Sequence, residues 1–220
     1  MFTQDYRRVY LAFGLQKFEW LEHGFGTRVS RDWPDTARLV QLKQIHSARV
    51  VVARGQTGFI GEGDALITDR PGVLLGIRTA DCLPILMVDA AHRAIAAVHA
   101  GWRGTVQEIG LVTIQALHAH FGTRPEDVTV AIGHGIGPCC YEVGSEVARR
   151  FAQYFPECDN LSQPARVDLV ETNIRQFVAA GIPKDNISAN RICTRCTPEM
   201  DSYRRDGDRA GRMTAAIGIR

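Results

Sequence analysis

The chain contains no apolar run near the ~18 residues that a membrane-crossing helix needs. Its charged start, MFTQDYRR, is followed by no long apolar stretch. These absences argue against a transmembrane segment and a secretory leader, and a cytoplasmic protein is expected. Charge of one sign is also lacking: 26 Lys and Arg stand against 24 Asp and Glu, a formal net charge of +2. So small an excess gives no reason to expect a nucleic-acid surface. The local exception is the last thirty residues, with seven arginines against four acids. A small anionic ligand and a solvated chain end account for that excess equally well. Repeats, low-complexity segments and linkers are missing, so one domain over residues 1–220 is expected. Without a secretory leader, the six cysteines read as free thiols or metal ligands rather than as a disulfide framework.

What is present is a soluble globular composition, 45% hydrophobic and 23% charged, in a chain long enough to bury a substantial core. VYLAF, ARVVVA, DALIT, VLLGI, LPILMV, AIAAV, VTVAIG and ISANRI are short apolar or β-branched runs bounded by Gly, Pro or Asp. They read as strands. Three stretches read as helices: residues 104–122, with Val106, Gly110, Thr113, Leu117 and Phe121 on one stripe; residues 145–155, capped by Ser145; and residues 168–181, ending at Gly181 ahead of Pro183. Six of the strand runs precede the first helical one. That order predicts an α+β fold, mixed β-sheets flanked by helices, rather than a regular strand–helix alternation.

The ends of the strand runs carry the chemistry. His46 (KQIHSARV) and Cys82 (RTADCLPILMV) stand just before strands, and His99 (AIAAVHA) ends one. At such junctions a side chain can leave the core for a cleft. Two imidazoles and a thiolate make a zinc set with the fourth tetrahedral position open, the pattern of a catalytic site. The same residues also read as a small buried thiol and two core histidines bonded to backbone. His134, in AIGHGIGPCC, is a further candidate ligand or proton carrier, against an ordinary loop residue. Cys193 and Cys196 form C-x-x-C, a redox or zinc pattern that, without a second such pair, reads more readily as structural. Cys139 and Cys140 are vicinal and read either as lining a site or as small residues after a Gly-Pro turn.

HGFGTR, QIHSARV, GDALIT, RTADCLPI, HAGWRGT, IGPCCYEVG, ICT and SYRRDGDRAGRM span nearly the whole chain in one order. In that order and spacing the sequence resembles the YfiH-type family of purine nucleoside phosphorylases, earlier described as polyphenol-oxidase or laccase-domain proteins. The resemblance implies a YfiH-like fold and zinc bound by His46, Cys82 and His99. It also implies phosphorolysis of adenosine, inosine, guanosine and methylthioadenosine, and deamination of adenosine. Two departures stand out: VSRDWPD follows Arg28 where the family usually has glycines, and His134 stands where it often has proline.

Phosphorolysis passes through a ribose with oxocarbenium character, so phosphate must be held under the anomeric carbon and the leaving base stabilised. Guanidinium groups suit the phosphate. Arg28, Arg78 and Arg103 are candidates, with Arg205 and Arg212 from the C-terminal block. Each has an alternative reading as a surface ion pair. Gln44 and Cys139 complete the candidate substrate contacts. Deamination needs an activated water, which a zinc with an open position supplies. The usual nucleobase-deaminase pattern, H-x-E with P-C-x-x-C, is missing, so the general acid or base is not given by it. Asp81, beside Cys82, is the candidate, or else a residue that turns the backbone.

Three rival readings belong to other classes. Two histidines and a cysteine also form the core of a blue-copper centre with a weak axial Met, so copper is the alternative metal and a laccase-type oxidase the alternative activity. Seven histidines in all are few for a multicopper enzyme. The one H-x-H pair, His118 and His120, falls in a predicted helix. A cysteine hydrolase using Cys82 and His99 is the second rival, because the YfiH fold is similar to that of deamidase toxins. A non-enzymatic partner is the third. Small-molecule purine nucleosides and phosphate are the expected partners, with no nucleic acid and no membrane. Oligomeric state is left open by the sequence.

Overall fold

The computed structural model describes residues 1–158 and 163–220. The chain opens with β1 (Phe2–Gln4), β2 (Tyr10–Ala12), α1 (Phe13–Gln16), β3 (Leu21–Phe25), β4 (Leu39–Lys43) and β5 (Val50–Val52). It continues through β6 (Gly58–Glu62), β7 (Ala65–Thr68), β8 (Leu74–Thr79), β9 (Leu83–Asp89) and β10 (Ala94–Ala100). Next come α2 (Trp102–Val106), α3 (Ile109–Phe121), β11 (Val128–Ile132), β12 (Glu142–Val143), α4 (Ser145–Arg149) and β13 (Ala165–Arg166). The last elements are α5 (Leu169–Ala179), β14 (Ile187–Ala189), α6 (Tyr203–Asp206) and β15 (Met213–Ile219). No helix of the described residues is long and apolar enough to cross a membrane.

β9 and β10 are buried at every position, and that burial sets the layering. They sit centrally in a six-stranded sheet ordered β14-β11-β9-β10-β7-β5. Successive side chains of a strand point to opposite faces. Ile85, Met87, Ala96 and Val98 pack with Ile109, Leu117 and Phe177 from the helices. Leu86, Val88, Ile95 and Ala97 pack with Phe25, Leu75, Ile77 and Ile217 of a second sheet. That sheet has seven strands, ordered β1-β2-β3-β15-β8-β4-β6. The result is sheet on sheet on helix, with the middle sheet covered on both faces, so its strands read as unbroken apolar runs. Both sheets mix parallel and antiparallel pairs. The expected α+β fold with mixed sheets and flanking helices is the one observed.

Two of the three helical stretches differ from their sequence reading. Residues 104–122 form two helices, because Glu108 adopts a left-handed conformation, φ 56°, and its carboxylate accepts the Tyr154 hydroxyl at 2.9 Å. The break separates α2, which follows β10 directly after Gly101, from α3. Residues 145–155 form only the short α4 and a single 3-10 turn, and the N-cap is Gly144, with no side-chain cap bond. The third stretch is α5, capped where expected: Asp168 accepts the Glu171 amide at 2.9 Å, and Gly181 follows with φ 94°.

Candidate metal centre and active site

Strand pairing brings the three strand-end residues together. β9 and β10 are antiparallel, with His99 opposite Pro84 and Ala100 opposite Leu83. The next step of that register sets Cys82 against Gly101. On the other side of β10, Val98 faces Ala65, which sets His99 against Asp64, and the His99 amide donates to the Asp64 carbonyl at 2.7 Å. His46 arrives from the loop after β4. Ligand atoms of His46, Cys82 and His99 all lie within 4.8 Å of one another, and the two imidazoles cross at 80° with centroids 4.9 Å apart. His46 and Asp81 hold left-handed backbone, φ 58° and 86°, a conformation uncommon for side-chain residues and concentrated at functional sites.

Asp64 organises this triplet. It is fully buried and accepts His99 Nδ1 at 2.9 Å, the His46 amide at 3.0 Å, and the Ser47 amide and hydroxyl at 2.6 and 2.8 Å. Burial alone pushes its carboxyl up, but the bonds from His99 and Ser47 outweigh that and hold it at about 2. Burial likewise opposes charge on Cys82 and His99. Hydrogen bonds from both imidazoles still bring the Cys82 thiol down to about 6, and Asp64 and Cys82 raise His99 to about 9. With Nδ1 turned to Asp64, His99 presents Nε2 to the cleft, the carboxylate–histidine–metal arrangement. Thiolate and imidazole donors with an orienting carboxylate fit a zinc or copper ion.

Gly101 explains the glycine in HAGWRG. A Cβ there would lie 2.8 Å from Cys82 Sγ and 3.4 Å from His46 Cδ2. Gly101→Ala is therefore expected to displace Cys82 and to weaken metal binding by about 10-fold or more. Chelator competition reads the loss, and circular dichroism checks that the fold is kept.

The triplet opens into a cavity of about 890 Å³, within the range of small-molecule sites. Its lining includes Lys43, Gln44, Arg78, Arg103, Arg204 and Arg212, and the aromatic side chains of Phe59, Trp102, Tyr141 and Tyr203. The Arg103 guanidinium stacks on Trp102 at 4.4 Å, and that of Arg204 on Tyr141 at 5.3 Å. Burial first, and then the charge of Cys82, push the Tyr141 phenol well above its ordinary value, so it keeps its proton.

Residues 27–220 match the family described as multi-copper polyphenol oxidoreductase laccase. A purine nucleoside phosphorylase of Clostridium acetobutylicum is 37% identical over 85% of this chain and 79% of its own length. The chain belongs to this enzyme family, the YfiH or laccase-like family. An adenosine deaminase from an unknown prokaryotic organism is 33% identical over 83% of this chain and 76% of its own. The crystal structure of YlmD from Geobacillus stearothermophilus superposes with a TM-score of 0.88 at 28% identity, over 100% of this chain and 98% of that one.

Within this family fold, the structure gathers some sequence candidates at the cavity and not others. Gln44 lines it, and its side chain exchanges two 2.8 Å bonds with the Arg78 backbone, tying β4 to β8. Asp81 lines it too, but both carboxylate oxygens are engaged at 2.6 Å, one with Thr194 Oγ1 and one with the Arg204 amide. Arg28 lies in a neighbouring cavity of about 460 Å³, which Arg212 also borders, and its guanidinium donates to the Pro198 carbonyl at 3.2 Å. Arg205 turns away, held by Asp206 and by the Thr194, Thr197 and Met200 carbonyls. Cys139 sits not at the cavity but in a cluster with Cys140, Cys193 and Cys196. Sequence reasoning missed Asp64, Tyr141 and Arg204. Arg204 was signalled only as the first of two adjacent arginines, whose directions α6 decides.

His134 is no part of the triplet. It is 1% exposed and meets Tyr10 edge-on, 5.8 Å between centroids. Burial lowers its pKa to about 4, and His23 is lowered to about 4 in the same way. Their folded values lie below the unfolded ~6.5, so the unfolded chain takes up protons first as pH falls. The contribution of these two histidines to stability is full above pH ~6.5 and falls toward pH ~4, with His134 alone costing about 3 kcal/mol at the lower end. His134→Leu is expected to flatten that limb in calorimetric melts taken between pH ~6.5 and ~4.5. A limb of unchanged slope removes His134 from the account.

Proposed function

We propose that this chain is a zinc-dependent purine nucleoside phosphorylase that also deaminates adenosine, as one catalytic domain spanning the whole chain. The observation that carries the reading is the meeting of His46, Cys82 and His99 at a cavity rimmed by arginines and aromatic rings. The names of the relatives, a phosphorylase and a deaminase, support it. When bound, zinc supplies a Lewis acid and brings the pKa of a water toward ~7.

The chain's own residues do the rest. Arg78, Arg103, Arg204 and Arg212 hold the phosphate by charge and paired donors. Trp102 and Tyr141, each stacked on a guanidinium, flank the nucleoside and exclude water. The Tyr141 hydroxyl, which keeps its proton, gives a hydrogen bond to the purine as it leaves. Asp81 positions Arg204 through its amide. Six free thiols suit a reducing compartment, and we place the protein in the cytoplasm.

Zinc is preferred over copper on the donor set. Among the described residues no methionine lines the cavity, and a blue-copper centre wants a weak axial one. One observation favours a second reading: Cys82, His99 and Asp64 line up as nucleophile, base and orienting acid, the pattern of a cysteine hydrolase. Iodoacetamide separates the two, because a metal-bound thiolate reacts only after chelation.

The deciding experiment incubates the zinc-loaded protein with adenosine or inosine, with and without phosphate, and follows bases and ribose 1-phosphate by chromatography. Free base formed only with phosphate, and inosine formed from adenosine without it, are the expected results. No conversion of either nucleoside overturns the reading.

A further inference from the structure

Four of the five cysteines outside the active-site triplet, all but Cys158, converge on one point. The sequence separates them into an adjacent pair, Cys139 and Cys140, and a C-x-x-C pair, Cys193 and Cys196. A parallel bridge between Gly135 and Cys193 joins the two segments, and the Thr194 amide donates to the Gly135 carbonyl at 3.0 Å. Cys196 Sγ lies 3.8 Å from Cys139 Sγ and 3.3 Å from Cys140 Sγ, and all four sulfurs are within 4.8 Å of one another. Gly137 makes the approach possible: a Cβ there would meet Cys193 Cβ at 3.2 Å and Cys139 Sγ at 3.4 Å. Its amide donates to Cys193 Sγ at 3.2 Å, the kind of bond that steadies a thiolate.

These spacings suit a metal better than a covalent bridge. Sulfurs at ~2.3 Å from a tetrahedral zinc stand ~3.8 Å apart, whereas a disulfide needs ~2.05 Å, and all six cysteines are free. The geometry points to a second metal site, in which Cys139, Cys140, Cys193 and Cys196 bind one soft divalent cation, zinc, in a closed structural set. On binding, the four thiols give up their protons to solvent and the site carries a net charge of −2. Two arginines brace the backbone around it. The Arg205 guanidinium donates to the carbonyls of Thr194, Arg195 and Thr197, and that of Arg204 lies 3.5 Å from the Cys140 carbonyl. The ion would clamp the turn that leads into Tyr141 to the loop that leads into α6, and so fix two walls of the cavity.

The site is tested on the full chain, purified without chelator, by counting bound metal. The wild type is expected to hold about two zinc ions, and His46→Ala about one. The double variant Cys193→Ser, Cys196→Ser should lose the other ion. Cobalt substituted into His46→Ala should show the intense charge-transfer and ligand-field absorption of four thiolates around one tetrahedral ion. This last measurement keeps all four cysteines, so it stands even if the double variant fails to fold. The proposal is overturned if His46→Ala holds no metal and shows no thiolate–cobalt absorption. It is equally overturned if the intact mass of the native protein is short of the hydrogens that disulfides would remove. Neither result bears on whether nucleosides are turned over, because the active-site triplet shares no ligand with this cluster.

Discussion

Cys82→Ala should leave a folded protein that neither cleaves inosine with phosphate nor converts adenosine to inosine. Two imidazoles alone make a poor zinc site, since catalytic zinc takes three protein ligands. Metal chemistry of this kind contributes several kcal/mol to the barrier, and each 1.4 kcal/mol is tenfold. Losses of about 1,000-fold in kcat/KM are therefore expected for both reactions, together with loss of the active-site ion from metal analysis. The fold should survive, because Cys82 is only half-buried and packs at the mouth of the cavity rather than in either core. The pH dependence of zinc uptake gives an independent check. In the metal-free site the Cys82 thiol titrates at about 6 and His99 at about 9. Both must be without protons to bind, so affinity should rise with pH until His99 is neutral. Wild-type rates in Cys82→Ala would remove the metal from the mechanism altogether.

The parts of this site that could be read from the sequence are those where a reactive residue interrupts an apolar run. β9 and β10 are legible because both faces of the middle sheet are covered, and the residues that end them, Cys82 and His99, stand out by contrast. β15, Met213–Ile219, is a central strand of the other sheet, yet Ala, Thr and Gly in MTAAIGI give little hydrophobic period. β3 was hidden in the same way by the mixed run LEHGF. The break at Glu108 is a tertiary decision: a hydroxyl from Tyr154, 46 residues away, holds a carboxylate, and local periodicity carries no trace of it. The four-cysteine cluster was illegible for a similar reason. Two pairs more than fifty residues apart meet only because Gly135 bridges to Cys193. Asp64 looked like a strand-opening turn residue, since an acid after glycine ahead of an apolar run is ordinary punctuation. Only the register of β7 against β10 shows that it faces His99.

That register makes Asp64→Asn the second substitution of large effect. The carboxylate accepts five hydrogen bonds: the Ile45 amide at 3.3 Å, the Ser47 amide and hydroxyl at one oxygen, and His99 Nδ1 and the His46 amide at the other. An asparagine has one accepting oxygen and one donating NH2. If the NH2 faces Ser47, three donors lose their acceptor inside a buried site, at about 1–3 kcal/mol each. If it faces His99 instead, the imidazole must accept at Nδ1 and move its proton to Nε2, the nitrogen that zinc needs free. The second arrangement strands fewer donors, so it should dominate and should weaken zinc binding by about 10–100-fold. The loop that carries His46 also loses its amide acceptor, which adds to the effect. Acid stability should change in step. The Asp64 pKa is depressed in the folded chain to about 2, so its contribution is present above the unfolded value of ~3.9 and is lost as pH falls through that window. Asp64→Asn should flatten the limb between pH ~4 and ~2, leave the contributions of His134 and His23 in place, and lower His99, which loses the carboxylate that raises it. Zinc affinity equal to the wild type, measured by chelator competition at one pH, would show that His99 does not need Asp64 to present its free nitrogen to the metal.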